Sequence, residues 1–333
     1  MSEYDVIIIG AGPGGYVCAI RAAQLGLKTA VVEKQWLGGV CLNVGCIPSK
    51  SLLKNAEVAH TLRERGKEFG FSFENLTLDF GVAVKRSRQV SDRLTKGVGF
   101  LMKKNAIDVH MGTARVTGRN SVLVTDKDGN KNELKTKNIV VATGASVAVP
   151  PGWHIDGDKV VTYLEAILQE KLPKSVVIIG AGAIGVEFAT IWNSYGVEVT
   201  IVEMLPRLLP LEDEEVSEEL AKAFKRRKIN FMVGTRVQDI QATETGVQVK
   251  VALVFGKPVL PQPSGLDLDL FQVAQPNKTF LFEQGFRGLG PAQPGARRSQ
   301  PVLRTAQALF VPGRAFALDD SYTPGAGDGE IDR

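Results

Sequence analysis

Two short uninterrupted apolar runs, residues 6–9 and 176–179, are each followed by a glycine cluster and then by apolar positions at helical spacing. A continuous apolar run bounded by turn residues is the pattern of a strand buried on both faces, as in a parallel sheet covered by helices. The two stretches are copies. Val6-Ile7-Ile8-Ile9-Gly10-Ala11-Gly12-Pro13-Gly14-Gly15 reappears as Val176-Val177-Ile178-Ile179-Gly180-Ala181-Gly182-Ala183-Ile184-Gly185, offset by 170 positions. The likeness continues through Ala19 and Ala189, Gly26 and Gly196, and Val32-Glu33 and Val202-Glu203. Each copy predicts strand, glycine turn, helix, second strand and a terminal acid, the opening of a βαβ unit.

Between the copies, the spacing predicts a helix over about 80–105, rich in Lys and Arg on what reads as a solvated face. A strand-like region over 109–124 follows, with a turn at Asp128-Gly129. The buried run Ile139-Val140-Val141-Ala142 ends at Thr143-Gly144, and Pro150-Pro151-Gly152 marks a boundary. After the second copy, acids from Glu212 to Glu219 lead into Lys222, Lys225, Arg226, Arg227 and Lys228, the charge order that suits a helix macrodipole. Residues 236–241 and 247–251 read as a hairpin about Thr245-Gly246.

From about residue 252 the pattern breaks. Nine of the sixteen prolines and seven of the fifteen phenylalanines fall in the last 82 residues, and neither period holds across the Pro/Gly interruptions. The predicted fold is therefore α/β: two Rossmann-like βαβ domains over 1–150 and 151–251, then an irregular tail over 252–333. A chain of 333 residues, 44% hydrophobic, is long enough for several cores. A net charge of +4 spread along the chain argues against nucleic acid or a membrane surface as partner. The acidic N-terminus and the lack of about 18 consecutive apolar residues predict a cytoplasmic chain with no membrane span.

The glycine pattern has a specific physical use. Gly10 permits a tight turn, Gly12 lets backbone approach a pyrophosphate, Gly15 lets helix pack on strand, and the helix N-terminus attracts phosphate. An acid about twenty residues on suits a ribose hydroxyl, and Glu33 stands there. In the second copy Glu203 would repel a 2′-phosphate, favouring NAD over NADP, although Arg207 lies nearby.

Cys41 and Cys46 are five positions apart, with Gly45 between them and Lys50 one helical turn after Cys46. Such a pair can be a redox disulfide, two inert buried thiols, or part of a metal site that would need ligands from among only three histidines. Cys18 falls on the helix of the first copy and reads as core. Glu187, just after Gly185, has the plain role of an acid at a helix start.

The segment Cys41-Leu42-Asn43-Val44-Gly45-Cys46-Ile47-Pro48-Ser49-Lys50 resembles the active-disulfide segment of dihydrolipoyl dehydrogenases, within the flavin-dependent disulfide oxidoreductases that include glutathione and mercuric reductases. The resemblance covers about residues 1–251. It implies FAD on the first copy, held by Gly10, Gly12, Gly14, Gly15, Glu33, Gly39, Val40, Lys50, Ala114, Thr143 and Gly144. It implies NAD on the second, held by Gly180, Gly182, Ile184, Gly185, Glu203 and Val237, and in the family the second domain is inserted into the first. Cys46 would face the flavin, Cys41 would exchange with substrate, and Lys50 would pair with Glu187. The implied donor is dihydrolipoamide on the acyltransferase of a 2-oxo acid dehydrogenase complex, and the implied assembly is a homodimer.

The family's second flavin segment and its interface domain, with a His-Pro motif supplying the acid-base histidine, have no counterpart here. None of His60, His110 or His154 sits in such a motif, and Gly327-Asp328 lacks the right surroundings. The break at residue 252 suggests a frameshift, which reading the gene in its other two frames would test. The alternatives are another disulfide reductase of the family, of mercuric or glutathione type, or a non-catalytic nucleotide-binding remnant. Without the acid-base group, lipoamide turnover is expected to fall about 10²–10⁴-fold, while NADH-to-quinone turnover persists; equal survival of both activities would count against this.

Overall fold

The computed structural model describes residues 3–147, 149–244 and 246–254, with the backbone alone at 278–282 and 309–312. The elements run β1 (Glu3–Ile9), α1 (Pro13–Gln24), β2 (Thr29–Glu33), α2 (Gly39–Val44), α3 (Cys46–Arg65) and, after a 3-10 turn, α4 (Phe80–Lys104). Next come β3 (Asp108–Met111), β4 (Thr113–Gly118), β5 (Ser121–Thr125), β6 (Lys131–Val141), β7 (Val160–Thr162), α5 (Tyr163–Ala166), β8 (Ser175–Ile179), α6 (Ala183–Ser194) and β9 (Glu198–Val202). The last are α7 (Glu214–Arg226), β10 (Asn230–Met232), β11 (Thr235–Ala242), β12 (Val247–Leu253), β13 (Lys278–Phe282) and β14 (Leu309–Pro312).

The described residues form two compact units, one of 3–37, 100–143 and 309–312, the other of 38–99, 144–254 and 278–282. In the first, a sheet of order β3-β2-β1-β6-β5-β4 joins a parallel half to an antiparallel meander. β6 makes the join: its N-terminal half pairs antiparallel with β5, and residues 135–141 pair parallel with β1. Tyr4, Ile7, Ile9, Val32, Val122, Leu134 and Ile139 form the core on one face of this sheet. The unbroken apolar run predicted for β1 thus reflects burial on both faces, since Ile8 is also fully buried.

In the second unit β10-β9-β8-β13-β7 form a parallel sheet, and β11 and β12 form the expected hairpin. Val160, Val177, Val202, Val237, Val247 and Val249 pack together between sheet and hairpin. α7 follows the predicted charge order, with Asp213 capping it through Glu215 N and with Lys225 and Arg226 in the last turn.

The unit boundary lies at 143/144, and residues 38–99 group with the second unit. The cause is that α3 runs beside α6 in the same direction: Lys50 meets Glu187 near their N-termini, and Arg63 donates to the Ser194 carbonyl near their C-termini. Of the tail, residues 278–282 form β13, which lies between β8 and β7, and residues 309–312 form β14, which pairs antiparallel with β6. Gly327-Asp328 lies outside the described residues.

Candidate active site

The first glycine turn sits at the C-terminal ends of β1, β2 and β6, where doubly wound sheets place ligands. A Cβ at Gly15 would lie 1.8 Å from the Gly10 carbonyl oxygen, so the helix start and the turn touch backbone to backbone. A Cβ at Gly10 would lie 2.2 Å from the Ala142 oxygen and 3.2 Å from Thr143 Cα, which brings the Thr143 segment against the turn. Pro13 opens α1, and its N-cap Gly12 offers no side chain to the first amides. The Glu33 carboxylate accepts Ala11 N at 2.7 Å on one oxygen and Gln35 N at 2.8 Å on the other. Gly112 N donates to the Glu33 carbonyl, which draws the start of β4 and Ala114 toward the same end.

The second turn repeats the principal bonds of the first. Gly10 N donates to Val32 O at 2.8 Å, and Gly180 N to Val202 O at 2.9 Å. Glu203 accepts Ala181 N at 2.8 Å and Leu205 N at 2.7 Å. The first glycines share φ +101° and +104°. The 170-residue repeat is therefore a repeat of hydrogen bonds as well as of letters. Arg207, the doubtful cation, directs Nη2 at the carbonyls of Pro210 and Glu212 within its own loop. Thr235 N donates to the Glu203 carbonyl, so β11 begins beside the acid, but the Val237 side chain is 7% exposed and packed in the core. Any cofactor contact from Val237 would fall to its main chain.

Cys41 and Cys46 form a disulfide with Cα atoms 4.6 Å apart, which decides between the disulfide and the two-thiol readings. α2 carries Cys41 and α3 begins at Cys46, with Gly45 as the hinge. A Cβ at Gly45 would lie 2.9 Å from the Val40 oxygen and 3.1 Å from Cys41 Cα, so a larger residue would push the two cysteines apart. Cys46 occupies the first turn of a 20-residue helix with no acid there, a position that favours a thiolate once the bond is reduced. One turn on, Lys50 Nζ meets Glu187 Oε1 at 2.5 Å. With Lys50 60% exposed the pair adds little stability; it fixes the disulfide helix against the helix of the second glycine turn.

Cys18 is half-buried, and burial pushes its thiol up. His60 lies on α3 about 21 Å along the helix from Cys46, with burial and Arg227 lowering its basicity. His110 contacts Tyr4 Oη at 3.2 Å.

The sequence pattern that describes the pyridine nucleotide-disulphide oxidoreductases matches residues 4–273. The chain belongs to this family. Among curated members, the dihydrolipoyl dehydrogenase of Mycobacterium tuberculosis (strain H37Rv) is 50% identical over 253 residues, covering 76% of this chain and 54% of that protein. That of Chlorobaculum tepidum is 46% identical over 252 residues, with the same coverage. The chain spans about half the length of these relatives. Of solved members, the HOCl-induced flavoprotein disulfide reductase RclA from Escherichia coli superposes with TM-score 0.65 at 26% identity, over 85% of this chain and 56% of its own. LpdA from Mycobacterium tuberculosis, at 23% identity, shares the fold with TM-score 0.73 over 86% and 59%.

Two groups of contacts escaped the sequence reading. Arg63 reaches the Ser194 carbonyl at 2.9 Å and Arg227 reaches Ser194 Oγ at 2.7 Å, while Arg88 reaches the Asn43 carbonyl. All join residues far apart in sequence, and no local spacing announces them. Among the described residues no helix is long and apolar enough to cross a membrane.

Proposed function

We propose that the chain is a dihydrolipoyl dehydrogenase-type electron relay, with FAD on the first glycine turn, NAD on the second, and the Cys41–Cys46 disulfide as the exchange site. The observation that carries it is the disulfide at the head of α3, tied through Lys50 to Glu187 on the helix of the second turn. Identity of 50% to dihydrolipoyl dehydrogenases, against 26% to RclA, favours this substrate class over other disulfides.

The residues fit both cofactors. A carboxylate has about four acceptor positions; Glu203 uses two on backbone amides, leaving capacity for ribose hydroxyls. The side-chain-free caps Gly12 and Gly182 keep both helix starts open to a pyrophosphate. Gly14, Gly39, Val40, Ala114, Thr143 and Gly144 complete the flavin set, and Ile184, Gly185 and Val237 the nicotinamide set. FAD, when bound, would carry the two electrons between dithiol and nicotinamide.

The chain's own steps are thiol chemistry. A dihydrolipoamide thiolate attacks Cys41 Sγ, the S–S bond breaks, and Cys46 leaves as a thiolate at the helix start. The second lipoyl thiol then displaces Cys41 from the mixed disulfide, releasing lipoamide and leaving two protein thiols. Glu187 holds Lys50 beside this exchange. The donor would be the lipoyl-bearing acyltransferase of a 2-oxo acid dehydrogenase complex.

The test is the visible spectrum of the purified chain after FAD addition, anaerobic dithionite reduction, and then NAD or NADP. We expect a flavin spectrum that bleaches and is restored by NAD at least about tenfold faster than by NADP, because Glu203 repels a 2′-phosphate and Arg207 is engaged within its loop. A colourless protein that FAD cannot restore would contradict the relay.

A further inference from the structure

Lys85, Arg86, Arg93, Lys96, Lys103 and Lys104 of α4 are exposed, as a solvated basic face should be, but Arg88 is half-buried. Its Nη1 donates to the main-chain oxygen of Asn43 at 2.5 Å. Two turns along the same face of α4, Thr95 Oγ1 donates to Asn43 Oδ1 at 3.3 Å, and Asn43 Nδ2 closes on the Gly39 carbonyl at 2.9 Å. One residue between the two cysteines is thus gripped through its main chain and its side chain by a helix that begins 37 residues further on.

α2 needs such support. It has six residues, far short of the length at which a helix holds itself in water, and its last carbonyls lack intrahelical partners. Gly45 hinges it to α3 with no side chain to stiffen the joint. Reduction removes the covalent tie, after which the grip of α4 on Asn43 adds to the burial of Leu42 and Val44 in keeping Cys41 near Cys46.

We infer that Arg88, assisted by Thr95, is a positioning residue that holds α2 against α3 and so sets the equilibrium between the Cys41–Cys46 disulfide and its dithiol. The inference rests on the redox role proposed above. Closing a disulfide from two thiols (two protons and two electrons leaving to a dithiothreitol disulfide) is favoured by the effective concentration of one thiol at the other. Loosening α2 lowers that concentration and makes the pair easier to reduce. The Arg88 charge acts in the opposite sense, favouring thiolate, but it is directed at a carbonyl, and Cys46 is exposed to screening solvent.

The test equilibrates the full chain with mixtures of reduced and oxidised dithiothreitol and counts Cys41 and Cys46 thiols by maleimide mass shift. Arg88→Ala should lower the disulfide formation constant about tenfold, or about 30 mV toward easier reduction. Thr95→Val should lower it by roughly threefold. Arg88→Lys, which keeps a donor and the charge, should recover most of the constant. Arg86→Ala removes the same charge from the same helix but breaks bonds to Ser51 and Asn55 instead, and should leave the constant unchanged. If Arg88→Ala fails to fold, Thr95→Val carries the test. Constants within twofold of the wild type in both variants, or an equal shift in Arg86→Ala, would overturn the positioning role alone. A wild-type pair that never cycles would overturn the relay and this inference together.

Discussion

Cys46→Ser is expected to abolish dithiol-driven reduction of the chain while leaving flavin binding intact. The reaction proceeds by breaking the Cys41–Cys46 bond, and with one sulfur replaced there is no bond to break. Loss of a covalent catalytic group costs on the order of 10³–10⁶-fold, so turnover with dihydrolipoamide should fall to the uncatalysed background. Hydride exchange between NADH and flavin needs no sulfur, so NADH-to-quinone turnover should survive within a few-fold. The check is parallel kinetics with the two acceptors on one preparation. Equal loss of both would mean that the serine had damaged the nucleotide sites, against the separation of roles argued from the geometry.

Gly10→Ala should be strongly damaging, because backbone conformation and close approach act together there. The residue holds φ +101°, which costs an L side chain about 1–2 kcal/mol. Its Cβ would also lie 2.2 Å from the Ala142 oxygen and 2.8 Å from the Ala142 carbonyl carbon, both backbone atoms that no rotamer change can clear. β6 would have to part from the turn, and the Thr143 segment would go with it. Loss of FAD binding and a melting temperature lower by more than about 5 °C are expected. Gly129→Ala is the control. It too has a positive φ, +84°, but nothing lies within 4 Å of its Cβ, so only the backbone term should appear. Comparable melting losses in the two variants would show that the close approach at Gly10 is unimportant.

The glycine turns and their acids were legible because the chemistry they serve is local. The apolar run, three glycines and an acid all lie within 28 residues, and the structure adds only that Glu33 and Glu203 anchor their own turns through Ala11 and Ala181. The disulfide was legible in outline, since a five-residue separation left the pair free to be thiols until their Cα atoms were found 4.6 Å apart. The packing of the Val237 side chain in the valine cluster behind the hairpin was not legible, because the resemblance assigned only a position at the cofactor. The basic face of α4 failed at one position: periodicity assigns faces, but it does not foresee that a carbonyl 45 residues earlier will draw Arg88 inward. The grouping of 38–99 with the second unit has the same origin, for the Lys50–Glu187 and Arg63–Ser194 contacts span 137 and 131 positions. Composition alone pointed to irregularity after residue 252, and it gave no sign of which strands would accept 278–282 and 309–312.

The relay as a whole is tested most directly by counting thiols after anaerobic incubation of the FAD-supplemented chain with NADH. Two new maleimide-reactive cysteines per chain, mapped to Cys41 and Cys46 and dependent on both FAD and NADH, are the expected result. Labelling that needs no flavin, or none at either cysteine while the flavin itself is reduced, would contradict an electron path joining the two nucleotide turns through this disulfide.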